Sequence, residues 1–182
     1  MILRPSSGQA KPLVVFAVGN PSRGDDAIGP VICGRLEKWL KNEGLAEQFE
    51  LIEDFQLQIE HALDLSDRQL ALFIDAGANT PAPFTFQRIA PASGIAHSTH
   101  ELSPEAVLQV YLQTEGVAPP PAFVLCVRGE AFELGEPLTA VAEMYVDAAF
   151  GLLIQLCQQA DLNFWERATP IAIEEKYQAA EA

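Results

Sequence analysis

Three short, uninterrupted apolar runs constrain the fold of this chain more than any other feature of its sequence. They occupy residues 13–18, 70–74 and 123–127, and they are rich in valine, leucine, isoleucine and phenylalanine. Because every position is apolar, rather than every second one, each run is typical of a strand that is buried on both faces of a sheet. Such strands belong to α/β proteins, in which helices cover both sides of a mostly parallel sheet.

The segments between these runs have helical patterns. Apolar residues recur at three- and four-residue spacing from Ile28 to Leu40, and the pattern ends at Gly44. The remaining predicted elements are a strand at 49–52, a helix around 57–65, a helix that starts after Ser103 as N-cap and runs to about 113, and an apolar helix from 137 to near 159. This alternation predicts a single-domain three-layer α/β/α sandwich.

One further strand departs from the parallel pattern. Residues 84–89 follow a proline-rich turn after a connection that is too short for a crossover helix. We therefore predict that this strand pairs antiparallel, near an edge of the sheet. The predicted domain spans residues 12–160, between a flexible N-terminus at 1–11 and a loosely attached tail at 161–182.

Charge and cysteine usage restrict the possible partners and the compartment. The chain has 11 Lys and Arg against 25 Asp and Glu, for a net charge of −14, which repels nucleic acid and anionic membrane surfaces. Its three cysteines are far apart, and we found neither a signal peptide nor an apolar run of about 18 residues. These features predict a cytoplasmic protein with buried free thiols.

Polar groups that follow the predicted strands mark the most promising site. Ligands of open parallel sheets gather at the carboxyl ends of the strands. The acidic pair Asp25 and Asp26 follows the first strand, Asp75 ends the third, and His97 or His100 lies in a later loop. Helix capping and solvation explain the acidic pair as readily as metal binding does. A third histidine, at position 61, is predicted on a helix surface.

A comparison with known catalytic motifs limits the types of reaction that this chain could catalyse. The glycines of residues 19–24 match neither a dinucleotide-binding motif nor a phosphate-binding P-loop, which argues against a nucleotide-binding domain. The sequence contains no G-x-S-x-G motif and no Cys/His nucleophile signature. Metal-assisted hydrolysis is therefore the remaining interpretation of this chain as an enzyme.

Several segments resemble a known family, the nickel-iron hydrogenase maturation proteases. The most specific segment is residues 15–30 (VFAVGNPSRGDDAIGP). Further matches are 54–57 (DFQL), 73–76 (FIDA), 98–102 (STHEL), 128–129 (RG) and 132–136 (FELGE), in the family's order over about residues 12–160. The resemblance implies an endopeptidase that recognises nickel in the precursor of a hydrogenase large subunit and removes its C-terminal extension.

The resemblance also assigns the site residues. It implies that Asp26, Asp75 and His100 bind the metal and act as the catalytic groups without a covalent nucleophile, and that Asp25 is a neighbour. The nickel would arrive with the large-subunit precursor, although the isolated protein could hold another divalent ion. Residues 56–60 depart from the family's glycine-rich version, so we expect Gln56 and Leu57 to help select the substrate. A nickel-dependent checkpoint that binds the precursor without cutting it is the alternative.

Overall fold

A computed structural model describes residues 9–93 and 102–170 of the chain. Its five-stranded sheet has the order β2-β1-β3-β5-β4. The strands are β1 Leu13–Val18, β2 Phe49–Asp54, β3 Leu70–Gly77, β4 Phe84–Ile89 and β5 Ala122–Arg128. The α-helices are α1 Ile28–Glu43, α2 Pro104–Glu115, α3 Ala140–Gln158 and α4 Leu162–Ala168, and short 3-10 helices lie at Gly24–Ala27, Ala46–Gln48 and Ile59–Leu65.

The pairing of the strands confirms the predicted sheet. Strands β2, β1, β3 and β5 run parallel, whereas β4 pairs antiparallel with β5 at one edge. The register places Val18 beside Asp54 and Asp75 beside Cys126. The carboxyl ends of all four parallel strands therefore meet at one edge of the sheet, which is the edge that the sequence predicted for the site.

Helices cover both faces of the sheet, as the three-layer prediction requires. Alternate strand residues such as Val15 and Leu72 pack in one core with α1 and α3. Their neighbours Phe16 and Phe73 belong to a second core, under α2 and the 3-10 helix Ile59–Leu65. Because each central strand supplies both cores, burial is continuous along its length, and this explains the uninterrupted apolar runs.

Helix α3 is more apolar than α1 and α2. By length and composition it is the one helix there that could cross a membrane, a possibility that the sequence analysis had excluded. The same composition is typical of the core helix of a soluble protein. Ala142, Val146, Ala149, Leu153 and Leu156 of α3 are completely buried in the core against the sheet.

The predicted tail was wrong for the residues directly after Asp161. The side chain of Asp161 caps α4 by accepting a hydrogen bond from the amide of Phe164 at 2.9 Å. Trp165 of α4 is buried against Phe123, and its indole N–H donates to the carbonyl of Leu156 at 2.9 Å. Trp165 thus fixes this segment to the domain. The sequence did not indicate this contact, because the helix is short and its apolar residues show no clear period. Residues 1–8 and 171–182 lie outside the described structure.

The start of α1 packs closely on β1 because position 29 is a glycine. A Cβ atom built on Gly29 would lie 2.2 Å from the carbonyl oxygen of Val18, whereas one built on Gly34 of the same helix would meet nothing within 4 Å. Since Val18 ends the strand that leads into the candidate site, this contact determines where the chain leaves the sheet.

We predict opposite effects for two Gly→Ala substitutions in α1. Gly29→Ala should lower the free energy of unfolding by about 2 kcal/mol or more, because backbone must shift to admit the methyl group. Gly34→Ala is exposed and should raise it by about 0.5–1 kcal/mol, through the higher helix propensity of alanine. Urea denaturation measures both changes, and equal effects of the two substitutions would contradict the close packing at Gly29.

Candidate functional site

The loop after β1 holds Asp26 in a defined position. The carboxylate oxygen Oδ2 of Asp26 accepts a hydrogen bond from the amide of Asn20 at 2.8 Å, and the side chain of Asn20 accepts one from the amide of Ser22 at 2.9 Å. Asp26 is partly exposed, within the 3-10 helix Gly24–Ala27 that directly precedes α1. These bonds close the turn and keep the carboxylate of Asp26 close to the end of β1.

Asp25, its neighbour, has a different environment. Its side chain is completely buried, with a relative exposure of 0%. The carboxylate accepts hydrogen bonds from the amides of Glu130 (2.7 Å), Ala131 (3.1 Å) and Thr139 (2.7 Å), and from the hydroxyl of Thr139 (2.9 Å). The sequence left two roles open for Asp25, capping of α1 and metal binding. These hydrogen bonds correspond to neither of them. Asp25 instead joins the loop after β1 to the loop after β5.

Backbone hydrogen bonds strengthen the same junction. The amide of Gly24 donates to the carbonyl of Glu136, that of Asp25 to Ala131, and that of Gly135 to Ser22. Gly24 has a φ of 55°, and a Cβ atom there would lie 2.4 Å from the carbonyl oxygen of Ala131. The two loops therefore fit together only when this position lacks a side chain.

Hydrogen bonds also determine the protonation of Asp25. Burial alone would raise the pKa of this carboxyl group, but the three amides and the hydroxyl that donate to it lower the pKa further, so the net pKa is below the usual value for aspartate. The folded protein consequently holds Asp25 as an anion. Its charge is satisfied by hydrogen bonds from the amides and the hydroxyl of the loop after β5.

Asp75 lies at the carboxyl end of β3, on the edge of a cleft. Its Oδ1 atom accepts a hydrogen bond from the amide of Ala76 at 2.7 Å. The cleft has a volume of about 350 Å³ and is lined by Val18, Leu57, Asp75, Leu102, Ser103 and Pro104. The 3-10 helix that carries Asp26 contacts β3, so the elements that carry Asp26 and Asp75 are neighbours at this edge.

The third predicted ligand, His100, lies outside the described residues, and so does His97. Leu102, two residues after His100 in the sequence, lines the same cleft as Asp75. Within residues 9–93 and 102–170, no group of three or more His, Cys, Asp or Glu side chains is arranged to hold a metal ion. The triad of Asp26, Asp75 and His100 therefore stays a prediction, since one of its members is not described.

The predicted surface position of His61 was wrong. His61 is only 7% exposed, and its Nδ1 atom accepts a hydrogen bond from the amide of Gln58 at 2.8 Å. Its Nε2 atom lies 3.4 Å from the carboxylate of Asp54, and its ring packs edge-on against Phe16. The apolar spacing suggested an ordinary amphipathic helix, but this segment is a 3-10 helix whose turn faces the sheet.

Gln56 and Leu57, predicted to select the substrate, lie between β2 and this 3-10 helix. Gln56 is exposed, whereas Leu57 is 6% exposed and lines the cleft beside Asp75. The contact between Gln58 and His61 closes the end of this segment. The segment therefore has one residue inside the cleft and one on its outer surface.

The groups that pack beside Asp75 on β5 were not predicted from the sequence. Cys126, its cross-strand neighbour, places its Sγ atom 3.0 Å from the hydroxyl of Thr80. Burial raises the pKa of the Cys126 thiol, the bond with Thr80 opposes the rise, and the charge of Asp75 adds to it. Arg128 donates to the carbonyl of Thr80 at 3.1 Å. Strand register would have indicated Cys126, but the contacts of Thr80 depend on a loop whose path the sequence does not reveal.

We predict that Asp25→Asn destabilises the protein in a pH-dependent way. At pH 7 the substitution should lower the free energy of unfolding by about 3 kcal/mol, because an amide cannot accept hydrogen bonds from all of these donors. The folded pKa lies below the usual 3.8, so the carboxylate stabilises the fold fully above about pH 5, and this contribution is lost as the pH falls below 3.8 towards the folded pKa. Urea denaturation of both proteins at pH 7 and pH 3.5 measures the difference.

The exposed Asp147 provides the control for this comparison. Asp147→Asn removes a surface ion pair with Arg35 and should change the stability by less than about 1 kcal/mol. A difference between wild type and Asp25→Asn that is as large at pH 3.5 as at pH 7 would contradict the role of the Asp25 charge.

Comparisons with known proteins show that this fold is similar to that of several solved structures. No protein-family model and no curated protein sequence matches the chain. The solved structures that resemble it include the hydrogenase maturating endopeptidase HybD from E. coli, with 21% identity, a TM-score of 0.61 and coverage of 81% of this chain and 93% of the other. The [NiFe] hydrogenase maturation protease HycI from Thermococcus kodakarensis KOD1 has 20% identity, a TM-score of 0.59 and coverage of 81% and 93%.

A third similar structure is an endopeptidase from Escherichia coli, with 23% identity, a TM-score of 0.60 and coverage of 82% of this chain and 94% of the other. The three matches extend over nearly the whole length of these proteins, so the similarity concerns the complete domain rather than a common α/β core. The chain therefore has the fold of the nickel-iron hydrogenase maturation proteases.

Proposed function

We propose that this protein is an endopeptidase that removes the C-terminal extension from the precursor of a nickel-iron hydrogenase large subunit. The observation that carries this proposal is the cleft at the carboxyl edge of the sheet, lined by Asp75 and adjoining the tightly held loop of Asp26. Support comes from the complete-domain similarity to proteins named as hydrogenase maturation endopeptidases.

In this proposal Asp26, Asp75 and His100 bind nickel that the precursor carries. Two carboxylates and a neutral imidazole suit a divalent ion of intermediate softness, and three protein ligands leave positions open for groups of the substrate or for water. The nickel belongs to the substrate, although the isolated protein could bind another divalent ion through the same groups. Its recognition limits cutting to precursors that have already received their metal.

The same three groups act at the scissile bond. The sequence contains no motif for a covalent serine or cysteine nucleophile, so in this proposal water attacks the peptide carbonyl directly, and the metal-binding groups hold the extension of the precursor beside it. The anchored loop of Asp26 limits how far its carboxylate moves during this step, since its Oδ2 atom is bonded to the amide of Asn20. In this proposal the protein accelerates the reaction mainly by holding the reacting groups close together and in the correct orientation.

Substrate choice is assigned to Gln56 and Leu57. Leu57 lines the cleft and contacts the apolar part of the bound chain, while the exposed Gln56 offers hydrogen bonds to a neighbouring part of the precursor. The three cysteines are unpaired thiols and the net charge is −14, in keeping with action on a newly made precursor in the reducing cytoplasm.

The test of this function is the mass of a nickel-loaded precursor before and after incubation with the purified protein. We expect wild type to shorten the precursor, and Asp26→Asn, Asp75→Asn and His100→Ala each to reduce the rate to less than about a tenth, because each substitution removes a metal-binding group. Asp147→Asn, an exposed aspartate on α3, is the matched control and should cut at the wild-type rate.

Two outcomes would contradict the proposal in different ways. A stable complex in which the precursor keeps its full mass would show a nickel-dependent checkpoint rather than a peptidase. Normal cutting by all three site variants would instead show that the activity depends on other residues.

A further inference from the structure

Three large apolar side chains are exposed next to the cleft. Phe55, Ile59 and Leu63 have relative exposures of 64%, 62% and 65%. They lie in and just before the 3-10 helix Ile59–Leu65, and we refer to them as the apolar patch. Single exposed apolar residues are common on soluble proteins, but three within nine residues indicate a surface for a partner.

The segment that carries the patch also contributes a residue, Leu57, to the cleft. Leu57 lies midway between Phe55 and Ile59 in the sequence and lines the cleft together with Asp75. On the other side of the 3-10 helix, His61, Ala62 and Leu65 are buried in the core, so the helix is firmly seated. A partner on the patch would therefore meet a fixed surface that leads directly to the candidate site.

The surroundings of the patch are strongly acidic. Within and just before the segment that carries it, residues 53–64 contain no lysine or arginine but four acidic residues, Glu53, Asp54, Glu60 and Asp64. Burial raises the pKa of Asp64, whereas the charges of His61 and Arg68 lower it. Glu53 and Glu60 are exposed, so their negative charges are accessible to a partner. The nearest following cation, Arg68, is engaged with the carbonyls of Asp64 and Lys11.

These charges determine which occupant fits. A second copy of this chain would bring the same acidic surface and a net charge of −14 against the patch, so self-association there is opposed by like-charge repulsion. A segment that combines apolar side chains with lysine or arginine satisfies both the patch and its acidic surroundings.

We propose that the apolar patch docks a basic, apolar surface segment of the hydrogenase large-subunit precursor, outside the cleft that receives the chain to be cut. This inference rests on the proposed function and adds a second contact to it. The patch supplies affinity, and the neighbouring acids speed encounter and align the partner. Because neither contacts the scissile bond, this contact acts on KM and leaves kcat unchanged.

The double variant Ile59→Ser/Leu63→Ser tests the docking role. With nickel-loaded precursor, we expect its KM to rise about tenfold or more and its kcat to stay at the wild-type value. The matched control is Leu112→Ser/Val117→Ser, which alters two exposed apolar residues at the far end of α2 from the cleft and should leave both constants within about twofold. Circular dichroism and thermal unfolding check that both variants fold.

Charge reversal at the exposed Glu60 tests whether the acidic residues beside the patch recognise a basic segment of the precursor. Glu60→Lys should raise KM at low ionic strength, and the difference from wild type should shrink as salt increases, because screening weakens interactions between exposed charges. A salt-independent effect of this substitution would contradict recognition of a basic partner.

The outcomes separate the docking surface from the proposed function. If wild type cuts the precursor and the patch variant has an unchanged KM, the docking proposal fails and the peptidase stands. If wild type cuts no precursor, the peptidase fails, and binding of the precursor to wild type and to the patch variant, measured by co-precipitation, decides the docking surface separately. A concentration-dependent wild-type dimer that the patch substitutions dissolve would assign the patch to self-association and overturn the proposal.

Discussion

The buried carboxylate of Asp25 is the interaction on which the geometry of the candidate site depends. An ion without solvent contact is costly unless its hydrogen-bonding capacity is satisfied, and here the amides of Glu130, Ala131 and Thr139 and the hydroxyl of Thr139 satisfy it. These hydrogen bonds can form only while the two loops, which are more than 100 residues apart in sequence, stay together. Asp26 benefits directly, because it is the next residue in the chain and shares the same short helix.

This arrangement explains why two adjacent aspartates have separate roles. The first is completely buried and contributes to stability, whereas the second remains partly exposed and faces a different environment. The proposed metal-binding role of Asp26 requires its carboxylate to approach an ion without a large rearrangement, and a neighbouring residue that fixes the backbone meets this requirement. The close packing of Gly24 against Ala131 adds a steric constraint to the electrostatic one.

Much of the fold followed from the sequence because its signals are local. Uninterrupted apolar runs indicated the buried strands, the short proline-rich connection indicated the antiparallel strand β4, and Ser103 was correctly identified as the cap of α2. The errors concern residues whose environment depends on distant parts of the chain. Trp165 is buried because it reaches β5 and the end of α3, and the ring of His61 is buried under β1.

For the candidate site, too, the local features could be predicted from the sequence and the contacts between distant residues could not. Its predicted position at the carboxyl ends of the parallel strands follows from topology, and inspecting what comes after each strand indicated Asp75 and the pair Asp25 and Asp26. Only the family resemblance selected Asp26 from that pair. The partners of Asp25 could not be found in this way, because the loop after β5 has no regular pattern. His100, suggested by resemblance, stays a prediction because it lies outside the described residues.

The segment after β2 connects the two proposed contacts with the precursor. Its conformation depends on the sheet, since the amide of Gly19 donates to the carbonyl of Asp54 at 3.1 Å and Nε2 of His61 lies beside the carboxylate of the same residue. One strand end therefore supports both the loop that leads to Asp26 and the segment that leads to the apolar patch. Because both start from this point, a precursor docked on the patch as proposed would lie at a fixed distance from the candidate metal-binding groups, and the length of its own chain would then determine which peptide bond reaches the cleft.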